Sequence, residues 1–310
     1  MTIKKISVIV PVINEEKKIG QCLGAIFSQT LEPFEVIVVD GHSKDDTVKC
    51  ANKFPVKILY EDHHTRAGAC QVGIDNANGD LIAFTDADCI PRENWLEKLV
   101  EELKENIVGV GGGIVNTGNG LWEISINLAM DSFLGSANSV QGRLFKNKRY
   151  VNSISGCNCI YRKIDLFKVG GFTVSLTTAE DTDVNNKLLA IGKLIYTPDA
   201  IILHNHSRGL RAFAKRMYQY GYGRAMSRLW DLQVIPSIVI LLLLLTLILT
   251  NRIFIFSIIT YLVLITLTSL IISIKAKNFK YFFPVSLVFI IEHIMYTIGF
   301  WKGFVKYRGD

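Results

Sequence analysis

Ile6–Val12 is a continuous apolar run of strand length, and the same signal returns at Glu35–Val39, Val56–Tyr60 and Leu81–Phe84. Between these runs lie segments with helical spacing. Ile19, Cys22, Leu23 and Ile26 share one face behind Asn14 as a capping residue, a short helix follows around Thr47–Lys53, and Ala67–Asn78 reads as another. Strands that are apolar on both faces and alternate with helices must be covered on both sides. The expected fold is therefore α/β, a mostly parallel sheet flanked by helices. Such sheets bind ligands outside the carboxyl ends of their strands. Here those ends carry Asn14-Glu15, Asp40 and Asp86-Ala87-Asp88.

Asp86 and Asp88 follow the apolar run directly, with Thr85 between. Alternation in an extended chain turns both side chains toward the same side. Two like charges held that close are unfavourable unless a cation lies between them. A hard divalent ion, Mg²⁺ or Mn²⁺, prefers such oxygen ligands, and magnesium commonly shares them with the phosphates of a substrate. The alternative for an isolated Asp-x-Asp is a solvated turn.

The chain then becomes less regular. Pro91 is placed to start a helix with Trp95, Leu96, Leu99, Val100 and Leu103 on one face. Val108–Val115 contains Gly111-Gly112-Gly113, a density that points to close backbone approach. It lacks the strand, G-x-G-x-x-G and helix order of a dinucleotide site. Ser153–Tyr161 reads as a strand, Gly170-Gly171-Phe172 as a turn and Asp181–Ile191 as a helix stopped by Gly192. Ile195–Tyr196 and Ile201–Leu203 read as two short strands, the second ending at His204. The six cysteines suit a reducing compartment. Cys157-x-Cys159 in a strand would aim both thiols to one face. A metal site there needs two further ligands, so the pair reads as buried free thiols.

From about Val234 the character changes. Val234–Thr250, Ile253–Ile274 and Tyr281–Trp301 are apolar stretches of about the 20 residues that a membrane-crossing helix needs, the first being the shortest. Met1–Lys5 leads straight into the first strand without the pattern of a secretory signal. Arg208, Arg211, Lys215, Arg216, Arg224 and Arg228 precede the first stretch, and Lys275, Lys277 and Lys280 fill the second connection. These clusters share one side if the N-terminal domain is cytoplasmic. Lys302, Lys306 and Arg308 then fall outside, unless the third stretch is tilted or bent at Pro284. The basic run reads either as an anchor on anionic lipid or as a grip on a lipid-linked phosphate, with Arg216 and Arg224 as candidates. Because it abuts a membrane stretch, nucleic acid is excluded as its partner. Glu292-His293 lies within an apolar stretch, where ionisable groups are expensive and often functional. A protonated Glu292 packed between helices is the structural alternative.

Taken in order, several motifs resemble those of the family 2 inverting glycosyltransferases of the GT-A fold: Val10-Pro11-Val12-Ile13-Asn14-Glu15-Glu16, Val38-Val39-Asp40-Gly41-His42-Ser43-Lys44-Asp45, Asp86-Ala87-Asp88, Gly156-Cys157-Asn158, Gly170-Gly171-Phe172 and Glu180-Asp181-Thr182-Asp183. They span roughly residues 6–206. Lys215–Arg224 followed by membrane stretches is similar to the branch of succinoglycan-type exopolysaccharide glucosyltransferases. The resemblance implies a catalytic domain at 1–206, a basic interfacial helix at 207–232, three transmembrane helices at 233–301 and a basic tail at 302–310. It implies that Pro11, Asn14 and Glu15 line a nucleotide pocket, that Asp40 accepts from a base, expected to be uracil, and that Arg66 lies near the nucleotide or its phosphates. Asp86 would contact ribose or metal and Asp88 would be the firmest metal ligand, with His204 near the metal or diphosphate. Gly156 and Asn158 would contact acceptor or phosphate, and Asp181 would be the general base with Glu180 beside it. In isolation, acids at that position simply cap a helix.

The chain departs from the family pattern twice. Asp40-Gly41-His42-Ser43 keeps one acid where two are common, and the Gln-x-x-Arg-Trp segment of processive synthases is absent. The function implied is transfer of a sugar from a nucleotide-diphosphate donor, expected to be a UDP-sugar, to a hydroxyl of a lipid-linked saccharide at the cell membrane. Its runner-up is transfer to a polyprenyl phosphate, an acceptor that is already an anion and needs no base. A non-catalytic membrane scaffold that kept the fold would not need Asp86, Asp88 and Asp181 together. A sugar nucleotidyltransferase would open with a glycine-rich basic loop where this chain has Asn14-Glu15-Glu16.

Overall fold

The computed structural model describes residues 5–137, 139–140, 144–205, 209–228, 230–249 and 251–309. The chain forms two compact units. One is Met1–Asn116 with Leu144–Asn205, and the other is Thr117–Arg143 with His206–Asp310.

In the first unit β1 (Ile6–Val12), α1 (Ile19–Phe27), β2 (Glu35–Asp40), α2 (Thr47–Ala51), β3 (Lys57–Tyr60), α3 (Arg66–Asn76) and β4 (Leu81–Thr85) follow the expected alternation. β5 (Cys89–Pro91), α4 (Trp95–Glu101) and β6 (Ile107–Thr117) come next. After α5 (Leu121–Met130) and α6 (Phe133–Ser136), which belong to the second unit, the first resumes with β7 (Arg149–Val151), β8 (Asn158–Arg162), α7 (Lys163–Lys168), α8 (Glu180–Leu189) and β9 (Lys193–Asn205). The strands make one sheet in the order β3-β2-β1-β4-β8-β6-β9-β5, with β7 on β9. Pairing is parallel across β3-β2-β1-β4 and antiparallel at β4–β8, β8–β6, β9–β5 and β7–β9. Register puts Val12 beside Asp40 and Asp40 beside Tyr60, so these strand ends open at one edge.

Alternation along β1 feeds two cores. Val8 and Val10 pack with Ile19, Leu23, Ile26 and Trp95 on one face, while Ile9 packs with Ile37, Ile74, Tyr161 and Leu188 on the other. Each of these buried aliphatic side chains contributes about 1.5–3 kcal/mol on leaving water. The close approach expected of the glycine run is present. A Cβ on Gly112 would stand 2.1 Å from the Ala200 carbonyl and 2.5 Å from the Asn158 amide.

Three local expectations change. Asn14 does not cap α1, which starts five residues later behind Lys18 without a side-chain cap. Instead Asn14 takes a positive φ of 53° and accepts from Lys44 N–H at 2.8 Å, which fastens the β1 turn to the β2 turn. Pro91 ends β5, and α4 begins at Trp95. The two short strands before His204 are one strand, β9, which runs through Pro198.

The second unit contains α5, α6, α9 (Leu210–Met226), α10 (Ile235–Leu249), α11 (Asn251–Lys275) and α12 (Phe282–Gly309). Among the described residues two helices, not three, are long and apolar enough to cross a membrane; they coincide with α11 and α12. α10 has 15 residues, about 22 Å at 1.5 Å per residue, short of a hydrocarbon core of about 30 Å. Pro284 does not bend the third stretch. It sits in the first turn of α12, where the missing N–H leaves no helical bond unmade, and the helix continues through Lys302 and Lys306. α9 packs against α12 through glycines. A Cβ on Gly299 would meet the Tyr218 carbonyl at 2.0 Å, and one on Gly303 would meet the Tyr222 carbonyl at 2.7 Å. The contact advances four residues on each helix, so the two run in the same direction.

Candidate active site

Strand β4 stops at Thr85, and the next four residues turn, with Cys89 N–H donating to the Asp86 carbonyl at 3.0 Å. The turn, rather than strand alternation, therefore sets where Asp86 and Asp88 point. Each acid meets its own cationic partner. Asp86 Oδ1 accepts from Arg66 Nε at 3.1 Å and from its terminal nitrogen at 2.7 Å. Asp88 Oδ1 lies 3.2 Å from His204 Nε2, and Asp88 Oδ2 lies 4.0 Å from Lys18 Nζ. His204 reaches this place through register, since β9 sets it opposite Cys89 on β5. Burial pulls the His204 pKa down, but the hydrogen bond to Asp88 and the nearby acids outweigh it, leaving the imidazole above its ordinary value. Two carboxylates in this turn are a donor set that suits a hard divalent cation.

Arg66 opens α3, whose cap is Thr65 accepting from Gly68 N–H at 2.9 Å. Its second terminal nitrogen donates to Glu180 Oε1 at 3.1 Å. One guanidinium thus joins the end of β4 to the start of α8. Asp181 follows in the first turn of α8. Its Oδ1 accepts from Thr182 N–H at 2.7 Å and its Oδ2 from Gly156 N–H at 3.3 Å. Burial, then the charge of Glu180, pushes the Asp181 pKa up to about 6 against the pull of Arg66 and of these N–H donors. A carboxylate in that range is still ionised at neutral pH and is a stronger base than an ordinary aspartate. Ala179, just before it, is held at a φ of 62°, a left-handed conformation that a non-glycine residue enters at a cost of about 1–2 kcal/mol.

The turns after β1 and β2 are laced together. Asn14 N–H donates to Ser43 Oγ at 2.8 Å, and Glu15 N–H to Thr47 Oγ1 at 2.7 Å. Asp40 is 1 % exposed, and its carboxylate accepts from Ser43 N–H at 2.8 Å and Ser43 Oγ at 2.5 Å. Pro11 is buried in β1. Glu15 is linked to the acids through Lys18, 3.4 Å away, and burial with Asp88 nearby keeps its pKa above the usual value despite that lysine. His42, at a φ of 62°, stacks on Tyr60 at a ring separation of 5.7 Å.

The structure therefore joins Asp86 and Glu180 through Arg66, and beside Glu180 it ties Asp181 to Gly156. Lys18 lies between Glu15 and Asp88, Asp88 also meets His204, and Asn14 and Asp40 meet at the laced turns. Two expectations for ligand contact do not hold. Asn158 is fully buried, with Trp95 Nε1 donating to its Oδ1 at 2.7 Å and its amide donating to the Gly113 and Ala200 carbonyls at 2.9 and 3.0 Å. It ties α4 to the sheet and has no surface for an acceptor. Arg224, in the second unit, is buried and bonds Asp231 and Gln233, so its charge is already matched by the segment that follows its helix. Arg216 is half-buried on α9 and donates to Tyr220 Oη at 3.4 Å. Arg208 lies outside the described residues.

Sequence reasoning missed Lys18, whose only signal is its place one helical turn after Glu15. The expectation of buried free thiols holds for Cys157 and Cys159, but the expectation that they share a face does not. Cys157 sits in the turn before β8 and faces the α1 side of the sheet, whereas Cys159, inside the strand, faces the other. The sulfur neighbour of Cys157 is Cys89, whose hydrogen bond lowers the Cys157 pKa despite burial.

The Glycosyl transferase family 2 model matches residues 7–169. Glycosyltransferase AglE of Haloferax volcanii is 29 % identical over 72 % of this chain and 74 % of its own length. A Methanococcus voltae enzyme, dolichyl N-acetyl-alpha-D-glucosaminyl phosphate 3-beta-D-2,3-diacetamido-2,3-dideoxy-beta-D-glucuronosyltransferase, is 26 % identical, with 97 % of both chains covered. Among solved structures, the mannosyltransferase PcManGT of Pyrobaculum calidifontis, in complex with GDP-Man and Mn²⁺, superposes with a TM-score of 0.60 at 17 % identity. That match covers 94 % of this chain and 86 % of that one.

Proposed function

The chain belongs to glycosyl transferase family 2 and is a glycosyltransferase; from that premise we propose that it moves a sugar, with inversion, from a nucleotide-diphosphate donor to a hydroxyl of a lipid-linked saccharide. The observation that carries the mechanism is Asp181. It is half-buried at the start of α8, fixed by two backbone N–H donors and raised to about 6. Asp181 takes the proton of the acceptor hydroxyl while that oxygen attacks the anomeric carbon. The bond from that carbon to the diphosphate breaks, and the electron pair leaves with the nucleotide. A positioned carboxylate base contributes about 10²–10⁴-fold. Arg66 holds Asp86 and Glu180 in place around it. A divalent ion, Mg²⁺ or Mn²⁺, held by Asp88 and Asp86 would supply charge compensation at the leaving diphosphate. PcManGT holds a nucleotide sugar and Mn²⁺ together in the same fold.

Uracil is proposed as the donor base on the resemblance of the Asp40-Gly41-His42-Ser43 motif alone, and the site offers stacking surface for a base. Asp40 anchors the Ser43 turn, and exposed His42 and Tyr60 present aromatic faces beside it. The lipid-linked acceptor is supported by the Methanococcus voltae relative, whose named acceptor is a dolichyl-phosphate-linked sugar. An enzyme for bare polyprenyl phosphate would have no use for Asp181 as a base. With α11 and α12 as the crossings, Arg211, Lys215, Arg216, Arg224 and Arg228 fall on the same side as Lys302 and Lys306, and this larger basic cluster supports a cytoplasmic location for that side. The deciding assay supplies membranes containing the protein with a panel of radiolabelled nucleotide sugars, with and without EDTA, followed by chloroform–methanol extraction. One donor should give an extractable product that EDTA abolishes. A labelled product confined to water would overturn the lipid acceptor, and transfer undiminished by EDTA would overturn the metal.

A further inference from the structure

Cys89 and His204 stand directly opposite one another on β5 and β9. Opposite residues on antiparallel strands share a face, with Cβ atoms about 4.5–5.5 Å apart. Cys157, from the turn before β8, completes a triangle in which the two sulfurs and a histidine ring nitrogen all lie within 4.8 Å of one another. All three residues are buried. Thiols buried merely as small apolar groups have hydrocarbon around them. These have polar company: Ser155 Oγ is 3.2 Å from Cys157 Sγ, and Asp88 Oδ1 is 3.8 Å from Cys89 Sγ and 3.2 Å from His204 Nε2.

We propose that Cys89, Cys157 and His204 form a binding site for a thiophilic divalent cation of the Zn²⁺ class, separate in chemistry from the carboxylate pair it borders. Zinc binds sulfur at about 2.3 Å and imidazole nitrogen at about 2.0 Å, which sets tetrahedral ligands about 3.5–3.8 Å apart. The triangle reaches that geometry by contracting about 1 Å or less along its edges. Metal-bound imidazoles commonly lean on a carboxylate, and Asp88, 3.2 Å from His204 Nε2, is placed to be that carboxylate. On binding, each thiol gives its proton to solvent and its sulfur lone pair to the metal, with no change of oxidation state. Magnesium, which prefers oxygen, does not compete for two sulfurs.

The test uses the full-length, reduced protein in detergent with Mg²⁺ in excess and Co²⁺ as the optical probe. A thiolate-to-cobalt charge-transfer band should rise to a single Co²⁺ per chain and be displaced by Zn²⁺. It should vanish in Cys157→Ser and persist in Cys50→Ser, which changes a thiol outside the triangle. In the wild-type protein, Zn²⁺ should slow alkylation of Cys89 and Cys157 by N-ethylmaleimide, read peptide by peptide in a mass spectrometer. No band in the wild type, an undiminished band in Cys157→Ser, or alkylation unaffected by Zn²⁺ would overturn the site. None of these readouts needs sugar transfer, so their failure leaves the transferase reading standing.

Discussion

Asp181 shows how much one side chain depends on its setting. As the second residue of α8 it sits where unpaired backbone N–H groups favour a negative charge. Burial and Glu180 work against that charge and prevail. The pH consequence has a definite sign. The base must be ionised, so kcat should be flat near neutrality and fall about tenfold per pH unit below about 6. The same shift weakens the fold at neutral pH. A carboxyl whose native pKa lies above its unfolded value binds more protons when folded, so its effect on stability improves as pH falls from about 6 toward the ordinary aspartate value of 3.8. Asp181→Asn removes the base and retains the size of the side chain. Donor affinity by calorimetric titration should be near wild type while kcat drops at least about 10²-fold. A variant that keeps most of its turnover would show that Asp181 serves only as a helix-capping acid.

At the scale of elements, the site exists because turns after β1, β2 and β4 are pinned to one another and to α3, α8 and β9. The glycine run of β6 lets that packing form. Gly112 lies against the Ala200 carbonyl of β9 and the amide of Asn158, which itself holds α4 through Trp95. Gly112→Ala should therefore cost about 1–3 kcal/mol, as overpacking of a closed site does. Denaturant melts would measure it, and an unchanged midpoint would mean that β9 gives way freely. The strands and helices of the first half were legible because apolar periodicity reports them directly. Their cross-links were not. Asn14 looks like a helix cap in sequence, yet it bonds a turn thirty residues away.

At the scale of the molecule, the second unit draws α5 and α6 from the middle of the chain and α9–α12 from its end. Ile126 and Ala129 of α5 share a core with Phe213, Ile265, Val285 and Phe289. α11 leaves Ile255, Phe256, Ile259, Val263 and Leu267 exposed, which is a surface for lipid rather than water. The protein should remain in the membrane pellet through an alkaline carbonate wash and leave it only with detergent; release by carbonate would reduce the helices to a peripheral contact. The sequence by itself determined the α/β alternation, the strand ends that carry acids, and the apolar C-terminal quarter, because burial, strand period and helix length are written in local residue order. Only the tertiary structure decided that Arg66 joins Asp86 to Glu180, that Asn158 and Arg224 are buried with partners inside the chain, that α10 falls short of a crossing, and that Cys89, Cys157 and His204 meet. Most of these depend on contacts between residues far apart in the chain, and the length of α10 on where its helix begins and ends, none of which a local pattern of residues records.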